Sequence, residues 1–151
     1  MFIKLYKFHA VTRIESVALE DQELFAGYIA PRPKPHRDNR VQNGKWKVSI
    51  EEYNYNYYPP YIPAGAYVMS RHTIKTMYLA TNFVKQFIFD DIYFGIVAKK
   101  CGIKLFKSNN FLVNRHKMDE SNRKFVIAVH LGRNFEKIEN VWKDQVKLGN
   151  A

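Results

Sequence analysis

A chain of 151 residues is long enough for one domain with a core of its own, and its 46% of hydrophobic residues exclude intrinsic disorder. The formal net charge of +10 favours an anionic partner, namely a nucleic acid, an acidic membrane surface or a nucleotide diphosphate. The single cysteine, Cys101, excludes an intrachain disulfide and a cysteine-based metal site. No signal peptide or membrane-spanning run is recognisable, so these features alone predict a cytosolic chain.

The first third of the chain combines a helical pattern with an extended, basic segment. Apolar residues recur every three or four positions near the start, which predicts an amphipathic helical lead-in over about 1–24. A short apolar run predicts a strand over 25–30. Because proline stands at every second position of its first part, the basic segment 31–47 is expected to be an extended loop, with a further strand over 45–49.

A tyrosine-rich segment, a strand and a helix are predicted next. Residues 53–61 read Tyr-Asn-Tyr-Asn-Tyr-Tyr-Pro-Pro-Tyr, which indicates a structured loop that lines a surface. Residues 64–69 predict a buried strand, and Ser70 is the expected N-cap of the helix that follows. The predicted apolar face of this helix comprises Ile74, Met77, Tyr78, Thr81 and Val84.

The second helix of this region is expected to begin at Asp90 or Asp91, either of which is suited to cap it, and to end at Gly102. Its predicted apolar face comprises Ile92, Ile96 and Val97.

The remaining sequence predicts three strands and a last helix. Residues 103–106 and 111–113 indicate a strand pair, 114–124 a charged loop, and 125–129 a strand that ends at His130. The predicted apolar face of the last helix comprises Phe135, Ile138, Trp142 and either Gln145 or Val146. The alternation of strands and helices predicts an α/β fold.

Two adjacent carboxylates, Asp90 and Asp91, lie between apolar runs, a pattern typical of partly buried charges. A structural role is favoured, because the free N–H groups and the dipole at a helix start stabilise a carboxylate. A carboxylate held at the edge of a cavity is also suited to take a proton from a hydroxyl group as a general base. The pattern by itself leaves both roles open.

His130 follows an apolar strand, at the position where α/β folds present side chains to ligands. An imidazole there is suited to bind a divalent metal or a phosphate, although a single histidine is more often structural. The other four histidines show no metal-ligand spacing.

The basic loop 32–47 and the tyrosine-rich segment also suggest a nucleic-acid-binding module, in which cations contact phosphates and rings stack on bases. No nucleic-acid-binding motif accompanies these segments. Aromatic rings beside a polar loop equally suit the C–H faces of sugars.

Several short motifs stand in a fixed order. They are Lys45-Trp-Lys-Val-Ser49, Glu51-Glu-Tyr53, Tyr58-Pro-Pro-Tyr61, Ala64-Gly-Ala-Tyr-Val-Met-Ser70, Phe89-Asp-Asp-Ile-Tyr-Phe-Gly95 and Val129-His130 with Trp142 beyond it. The ordered set resembles the β-1,3-galactosyltransferase/N-acetylglucosaminyltransferase family (glycosyltransferase family 31), above all its Brainiac-like branch. The resemblance extends from about Phe25 to the end, with an irregular patch at 107–124.

The resemblance implies that 1–151 forms a single partial domain, the acceptor-side, C-terminal part of a GT-A fold with a mixed sheet and flanking helices. It implies inverting transfer of a hexose from UDP-galactose or UDP-N-acetylglucosamine to a glycan acceptor on protein or lipid. The implied cofactor is Mn²⁺, and the implied location is the lumenal side of the Golgi membrane. Nucleic acid is not an expected partner of such an enzyme.

The resemblance also assigns roles to individual residues. Asp91 would be the catalytic base, with Asp90 as its competitor, and His130 would be a metal ligand. The residues assigned to the donor–acceptor cleft are Trp46, Tyr58, Pro59, Pro60, Tyr61 and Gly65.

One feature of the family is missing from this sequence. The Asp-x-Asp motif that carries the family's metal has no match here, and the resemblance places it, with a membrane anchor, upstream of Met1. We therefore expect this chain alone to show no appreciable transferase activity, and to contact a membrane only through such an anchor.

Overall fold

The computed structural model describes residues 22–30, 33–40, 44–63, 65–113, 118–130 and 135–149. Most of the predicted lead-in helix lies outside these ranges, and the described residues 22–24 are not helical. The elements within the ranges are β1 (Phe25–Gly27), β2 (Tyr67–Met69), α1 (Arg71–Thr81), α2 (Asp90–Cys101), β3 (Phe106–Lys107), β4 (Phe111–Leu112), a 3-10 helix (Arg123–Phe125), β5 (Ala128–Val129) and α3 (Phe135–Lys147). No helix in this described part is both long and apolar enough to span a membrane.

Two small sheets organise the fold. In the first, β1 lies between β2, which runs antiparallel to it, and β3, which runs parallel. In the second, β4 pairs with β5 in parallel. The helices that accompany these mixed sheets confirm the predicted α/β class. The finer assignment to a GT-A fold stays a prediction.

The strand pairing differs from the sequence prediction. The expected pair 103–106 and 111–113 is wrong, because β3 joins β1 whereas β4 joins β5. Ser108 still donates its N–H to the carbonyl of Gly27 at 2.9 Å, and the carbonyl of Asn110 accepts the N–H of Ile127 at 2.9 Å. The chain therefore passes from one sheet to the other within a few residues, and hydrophobic runs carry no information about the partner strand.

The other predicted strands are shortened or replaced. Residues 45–49 form no strand and make only an isolated bridge between Lys47 and His36. The strand expected over 125–129 is reduced to β5, because Arg123–Phe125 form a 3-10 turn. The strand expected over 64–69 is reduced to β2, and Tyr67 is 38% exposed because β2 lies at an edge of its sheet.

The main hydrophobic core lies between β1 and the two helices α1 and α2. Its buried members are Phe25, Ile62, Met77, Val97, Ala98 and Ile103. Two smaller clusters, one around Val126 and Val129 and one around Phe111 and Ala128, lie beside the second sheet.

Helix α1 begins as predicted but presents a different face to the core. The hydroxyl of Ser70 accepts the N–H of Thr73 at 3.2 Å, which confirms the N-cap. Met77 is buried and Val84 packs against the core as predicted. Ile74 and Tyr78 are 53% and 71% exposed, and Thr73 is buried instead, so the predicted face is wrong at these positions. The reason is a polar contact, since the buried hydroxyl of Thr73 accepts the N–H of Leu24 at 2.9 Å and turns that side of the helix inward.

The face of α3 agrees with its prediction at Ile138 and Gln145 and differs from it at Phe135 and Trp142. Phe135 is 70% exposed and Trp142 37% exposed, whereas Gln145 is 1% exposed. The apolar contacts of α3 come from Ile138 and Val141, which pack against the cluster around Val126 and Val129. The side-chain amide of Gln145 donates to the carbonyl of Arg123 at 3.2 Å and thereby places this edge of the helix inside.

Candidate active site

The adjacent carboxylates lie in the first turn of α2. Neither is the N-cap, which corrects the sequence prediction, because Phe89 occupies that position with extended backbone. Asp90 accepts the N–H of Asp91 at 2.9 Å, and Asp91 accepts the N–H of Ile92 at 2.8 Å. Both carboxylates thus accept backbone N–H groups in the first turn of the helix. The helix also ends as predicted, with Gly102 in the left-handed region at φ 74°.

A glycine brings α2 against the Pro-Pro-Tyr segment. A Cβ atom on Gly95 would lie 2.5 Å from Cβ of Tyr61 and 2.9 Å from the carbonyl oxygen of Pro60. Asp91 precedes Gly95 by four residues and so lies on the same side of the helix, one turn nearer its start. The pKa of the Tyr61 phenol is raised chiefly by burial and then by the negative charge of Asp91. Asp91 thus faces Tyr61, and Asp90, the more exposed of the two, lies beside it.

A second tyrosine shares this region. The pKa of Tyr67 is raised chiefly by burial and then by the charges of Asp90 and Asp91. Its ring meets that of Phe94 on α2 edge to face, with centroids 6.3 Å apart. The start of α2 therefore combines two carboxylates with the phenol groups of Tyr61 and Tyr67.

An aromatic cluster joins the tyrosine-rich segment to the start of α2. Its members, which we call the aromatic wall, are Trp46, Tyr53, Tyr58, Tyr61, Phe87 and Phe89. The ring of Trp46 lies 5.2 Å from that of Phe89, the residue immediately before the carboxylates. Tyr58 contacts both Phe87, at 5.7 Å, and Tyr61, at 6.4 Å. The predicted structured loop over 53–61 is thereby confirmed, and it ends beside Asp91.

Tyr58 is the most buried ring of the wall, at 6% exposure. Its hydroxyl has no hydrogen-bond partner among the described residues. Burial raises the pKa of Tyr58 to about 12, against the opposing effect of the nearby Arg37 charge. Tyr58 therefore acts as an apolar anchor of the wall, with Pro59 buried next to it and Pro60 exposed.

The two remaining predicted site residues lie together elsewhere. Gly65 and His130 line a shallow depression, which is completed chiefly by residues of β4 and β5 and contains neither carboxylate. His130 is fixed there by its own N–H, which donates to the carbonyl of Leu112 at 3.0 Å. A Cβ atom on Gly65 would meet only the carbonyl of Pro63, at 4.0 Å, so this position faces open space.

Comparison with known proteins gives a family for this arrangement. A family model described as galactosyltransferase matches residues 2–109. The chain belongs to the galactosyltransferase family. The match contains every predicted site residue except His130, and it begins well before Phe25, where the resemblance was expected to start.

Individual relatives confirm the predicted resemblance. The Drosophila melanogaster beta-1,3-galactosyltransferase brn is 37% identical over 124 residues, which cover 80% of this chain and 36% of that protein. The human UDP-GalNAc:beta-1,3-N-acetylgalactosaminyltransferase 1 is 30% identical over 136 residues, which cover 86% of this chain and 38% of that protein. The mouse N-acetyllactosaminide beta-1,3-N-acetylglucosaminyltransferase 4 is 29% identical over 82 residues, which cover 54% of this chain and 23% of that protein. The chain thus spans less than two fifths of the length of these curated relatives.

The predicted metal site is not assembled by the galactosyltransferase residues that the structure describes. Among them, no group of three or more His, Cys, Asp or Glu side chains lies close enough together to hold a metal ion. The depression around His130 is lined by small and apolar residues instead. The described residues therefore do not form a Mn²⁺ site by themselves, and the role of His130 as one ligand stays a prediction.

Sequence reasoning missed four residues that shape this site. Gly95 allows α2 to pack closely against the Pro-Pro-Tyr segment, and the charges of the two carboxylates help to raise the pKa of Tyr67. Phe87 and Phe89 connect the aromatic wall to the start of the helix. A glycine inside a helical pattern is a known sign of close packing and would have indicated Gly95. The three aromatic residues carry no such local signal.

Proposed function

We propose that this chain is the acceptor-side part of an inverting β-1,3-hexosyltransferase that transfers galactose or N-acetylglucosamine from a UDP-sugar to a glycan. Membership in the galactosyltransferase family and the names of its relatives support this reaction class. The relatives are named for three different sugars, so the donor follows from none of them singly. The activity proposed here is that of the whole protein, of which the chain spans only a part.

The observation that carries the proposal is the place of Asp91. It lies at the start of α2, faces Tyr61 and is flanked by the aromatic wall. We assign Asp91 as the general base, because its carboxylate lies in the first turn of α2, at the edge of a surface that an acceptor can reach. Asp91 would take the proton of the acceptor hydroxyl as its oxygen forms a bond to the anomeric carbon. The bond from that carbon to UDP breaks on the opposite face, UDP leaves with the electron pair, and the configuration inverts.

The aromatic wall supplies a surface for the acceptor sugar. Trp46 packs on Phe89, and Lys45 lies over its ring at 4.8 Å, yet 37% of the residue is exposed. We place the C–H face of a pyranose against this exposed part, next to the carboxylates. Tyr61 belongs to the same wall through its ring contact with Tyr58, and the charge of Asp91 helps to raise the pKa of its phenol. Trp46 would therefore orient the sugar while Asp91 accepts its proton.

Three further features stay predictions of the resemblance. They are Mn²⁺ as cofactor, with His130 as one ligand, the lumenal side of the Golgi membrane as location, and the lack of transfer by this chain alone. The last follows from the donor site, because the chain has no Asp-x-Asp motif and spans 36% of the Drosophila relative. Release of UDP by the purified chain with a UDP-sugar and an acceptor would contradict it.

The test is a chimera in which this chain replaces the matched segment of the Drosophila relative. N-acetyllactosamine serves as acceptor, after the name of the mouse relative, and UDP-galactose and UDP-N-acetylglucosamine serve as donors. Asp91→Asn should lower kcat by about 100-fold or more, the typical contribution of a general base. Asp90→Asn is the matched control and should leave kcat within a few-fold of the parent. Equal losses in the two variants, or a fully active Asp91→Asn, would show that Asp91 is not the base.

The alternative of nucleic-acid binding has less support in the structure. Lys34 lies over the ring of Tyr57 at 5.2 Å, and Lys45 lies over that of Trp46 at 4.8 Å, so these cations contact rings of the chain itself. A titration with single-stranded DNA discriminates the two functions, since binding to phosphates weakens steeply with salt whereas sugar binding does not.

A further inference from the structure

One guanidinium group in the basic loop contacts four carbonyl groups of the chain. Arg37 donates through Nη1 to the carbonyls of Val48 and Ser49, at 3.0 and 2.6 Å. Through Nη2 it donates to the carbonyls of Tyr53 and Tyr55, at 2.6 and 3.0 Å. Four carbonyl oxygens that converge on one point form a shared site of partial negative charge, and the N–H groups of the guanidinium satisfy all four.

These contacts connect three separate stretches of the loop region. Arg37 belongs to the first, the turn 44–49 is the second, and the tyrosine-rich segment is the third. The second stretch is also held to the first by the backbone, because Val48 donates to the carbonyl of His36 at 2.9 Å. The third is held to the second by the N–H of Tyr53, which donates to the carbonyl of Ser49 at 3.1 Å, and to the first by the N–H of Tyr58, which donates to the carbonyl of Pro33 at 2.9 Å. The guanidinium adds contacts to the carbonyls of Tyr53 and Tyr55, between these two backbone bonds.

The same stretches carry the aromatic wall. Trp46 precedes one carbonyl partner of Arg37 by two residues, and Tyr53 supplies another partner itself. The rings of Trp46 and Tyr53 contact Phe89 and Phe87, the residues that lead into α2. Arg37 thus contacts the backbone of one wall residue directly and is connected to the residues before the carboxylates through the rings of the wall.

The geometry requires arginine. A guanidinium group offers five N–H donors in a rigid plane and can serve two pairs of carbonyls at once, whereas an ammonium group is a single point with three donors. Arg40, three residues on, provides the contrast. Arg40 bonds to Asp38, its neighbour in the same loop, and its side chain is 89% exposed.

We propose that Arg37 is a positioning residue, which holds Trp46 and the tyrosine-rich segment against the start of α2 and thereby sets the affinity for the acceptor sugar. The ligand in this statement rests on the proposed function, whereas the positioning of Trp46 does not. Loss of Arg37 should loosen the wall and leave Asp91 on its helix. The effect should therefore fall on acceptor binding and leave the chemical step largely unchanged.

The first experiment measures the position of Trp46 without any ligand. The chain has two tryptophans, so Trp142→Phe leaves Trp46 as the sole reporter. In that background, Arg37→Ala should shift the fluorescence emission of Trp46 to longer wavelength and raise its acrylamide quenching constant about twofold. The reason is that the Trp46 ring would no longer be held against Phe89 and would become more exposed to solvent. Arg37→Lys should give an intermediate value, and Arg40→Ala should match the parent. Far-UV circular dichroism confirms that the helices persist, and if Arg37→Ala does not fold, Arg37→Lys decides alone.

The second experiment uses the chimera with N-acetyllactosamine. Arg37→Lys should raise the KM for the acceptor about fivefold or more and leave kcat within twofold, and Arg40→Lys should change neither. Unchanged quenching in both Arg37 variants overturns the proposal, whatever the reaction of the protein is. Changed quenching with an unaltered KM, or a loss confined to kcat, overturns the link to the acceptor. The Asp91→Asn result tests the proposed function separately, since it does not depend on Arg37.

Discussion

Replacement of Gly95 by alanine tests the contact that places Asp91 beside Tyr61. The added Cβ would lie 2.5 Å from Cβ of Tyr61, 2.9 Å from the carbonyl oxygen of Pro60 and 3.2 Å from Cα of Tyr61. Carbon atoms in contact normally stand about 3.5–4.0 Å apart, so α2 and the Pro-Pro-Tyr segment must separate by about 1 Å. The obstructing atoms belong to the backbone or lie next to it, and a rotamer change does not relieve the clash.

The size of the effect follows from two opposing contributions. Overpacking costs about 1–3 kcal/mol, and the rigid neighbours of Gly95 favour the upper end of that range. Alanine in a helix regains about 1 kcal/mol relative to glycine. We expect Gly95→Ala to lower the free energy of unfolding by about 2 kcal/mol, or about 30-fold in the folding equilibrium.

Urea unfolding followed by far-UV circular dichroism measures this loss. For a urea dependence of about 1–3 kcal/mol per molar, the midpoint should fall by about 1 M. Gly65→Ala is the matched control, because the same methyl group there meets nothing nearer than the Pro63 carbonyl at 4.0 Å, and its midpoint should not fall. A Gly95→Ala midpoint equal to that of the parent would refute the packing of α2 against Pro60 and Tyr61, and with it the orientation assigned to Asp91.

Two further changes have defined outcomes. Tyr58→Phe removes a buried hydroxyl that has no partner among the described residues, so the urea midpoint should stay or rise, and a fall would reveal an unrecognised hydrogen bond. The pKa of Tyr58 in the folded protein, about 12, exceeds that of an exposed tyrosine. The stability that the protein retains by keeping this phenol protonated is therefore complete below about pH 10 and is lost as the pH rises toward 12. A plot of urea midpoint against pH should therefore decline less over this range in Tyr58→Phe than in the parent. Ser70→Ala should cost about 1 kcal/mol through loss of the N-cap of α1, whereas Ser121→Ala, which lies in a surface turn, should cost less; equal midpoints for the two serine variants would contradict the capping role.

Local chemistry explains what the sequence determined about this protein. Ser70 caps α1 and Gly102 ends α2, because each acts on the backbone within a few residues of itself. The Asp90–Asp91 pair was correctly placed at a helix start for the same reason, although Phe89 holds the N-cap position. The ordered motifs also identified the family, which the match over residues 2–109 confirms.

Contacts between distant segments decided the rest. The partner of β3 is β1, some eighty residues earlier, and no local pattern distinguishes that pairing from one with β4. The inward face of α1 follows from the hydrogen bond between the N–H of Leu24 and the hydroxyl of Thr73, which buries Thr73 and leaves Ile74 exposed. The candidate site depends on the same kind of contact, because Asp91 meets Tyr61 only where Gly95 lets two segments of the chain approach within the width of a methyl group. Caps and turns are fixed by neighbours in sequence, whereas pairing, burial and the site are fixed by neighbours in space.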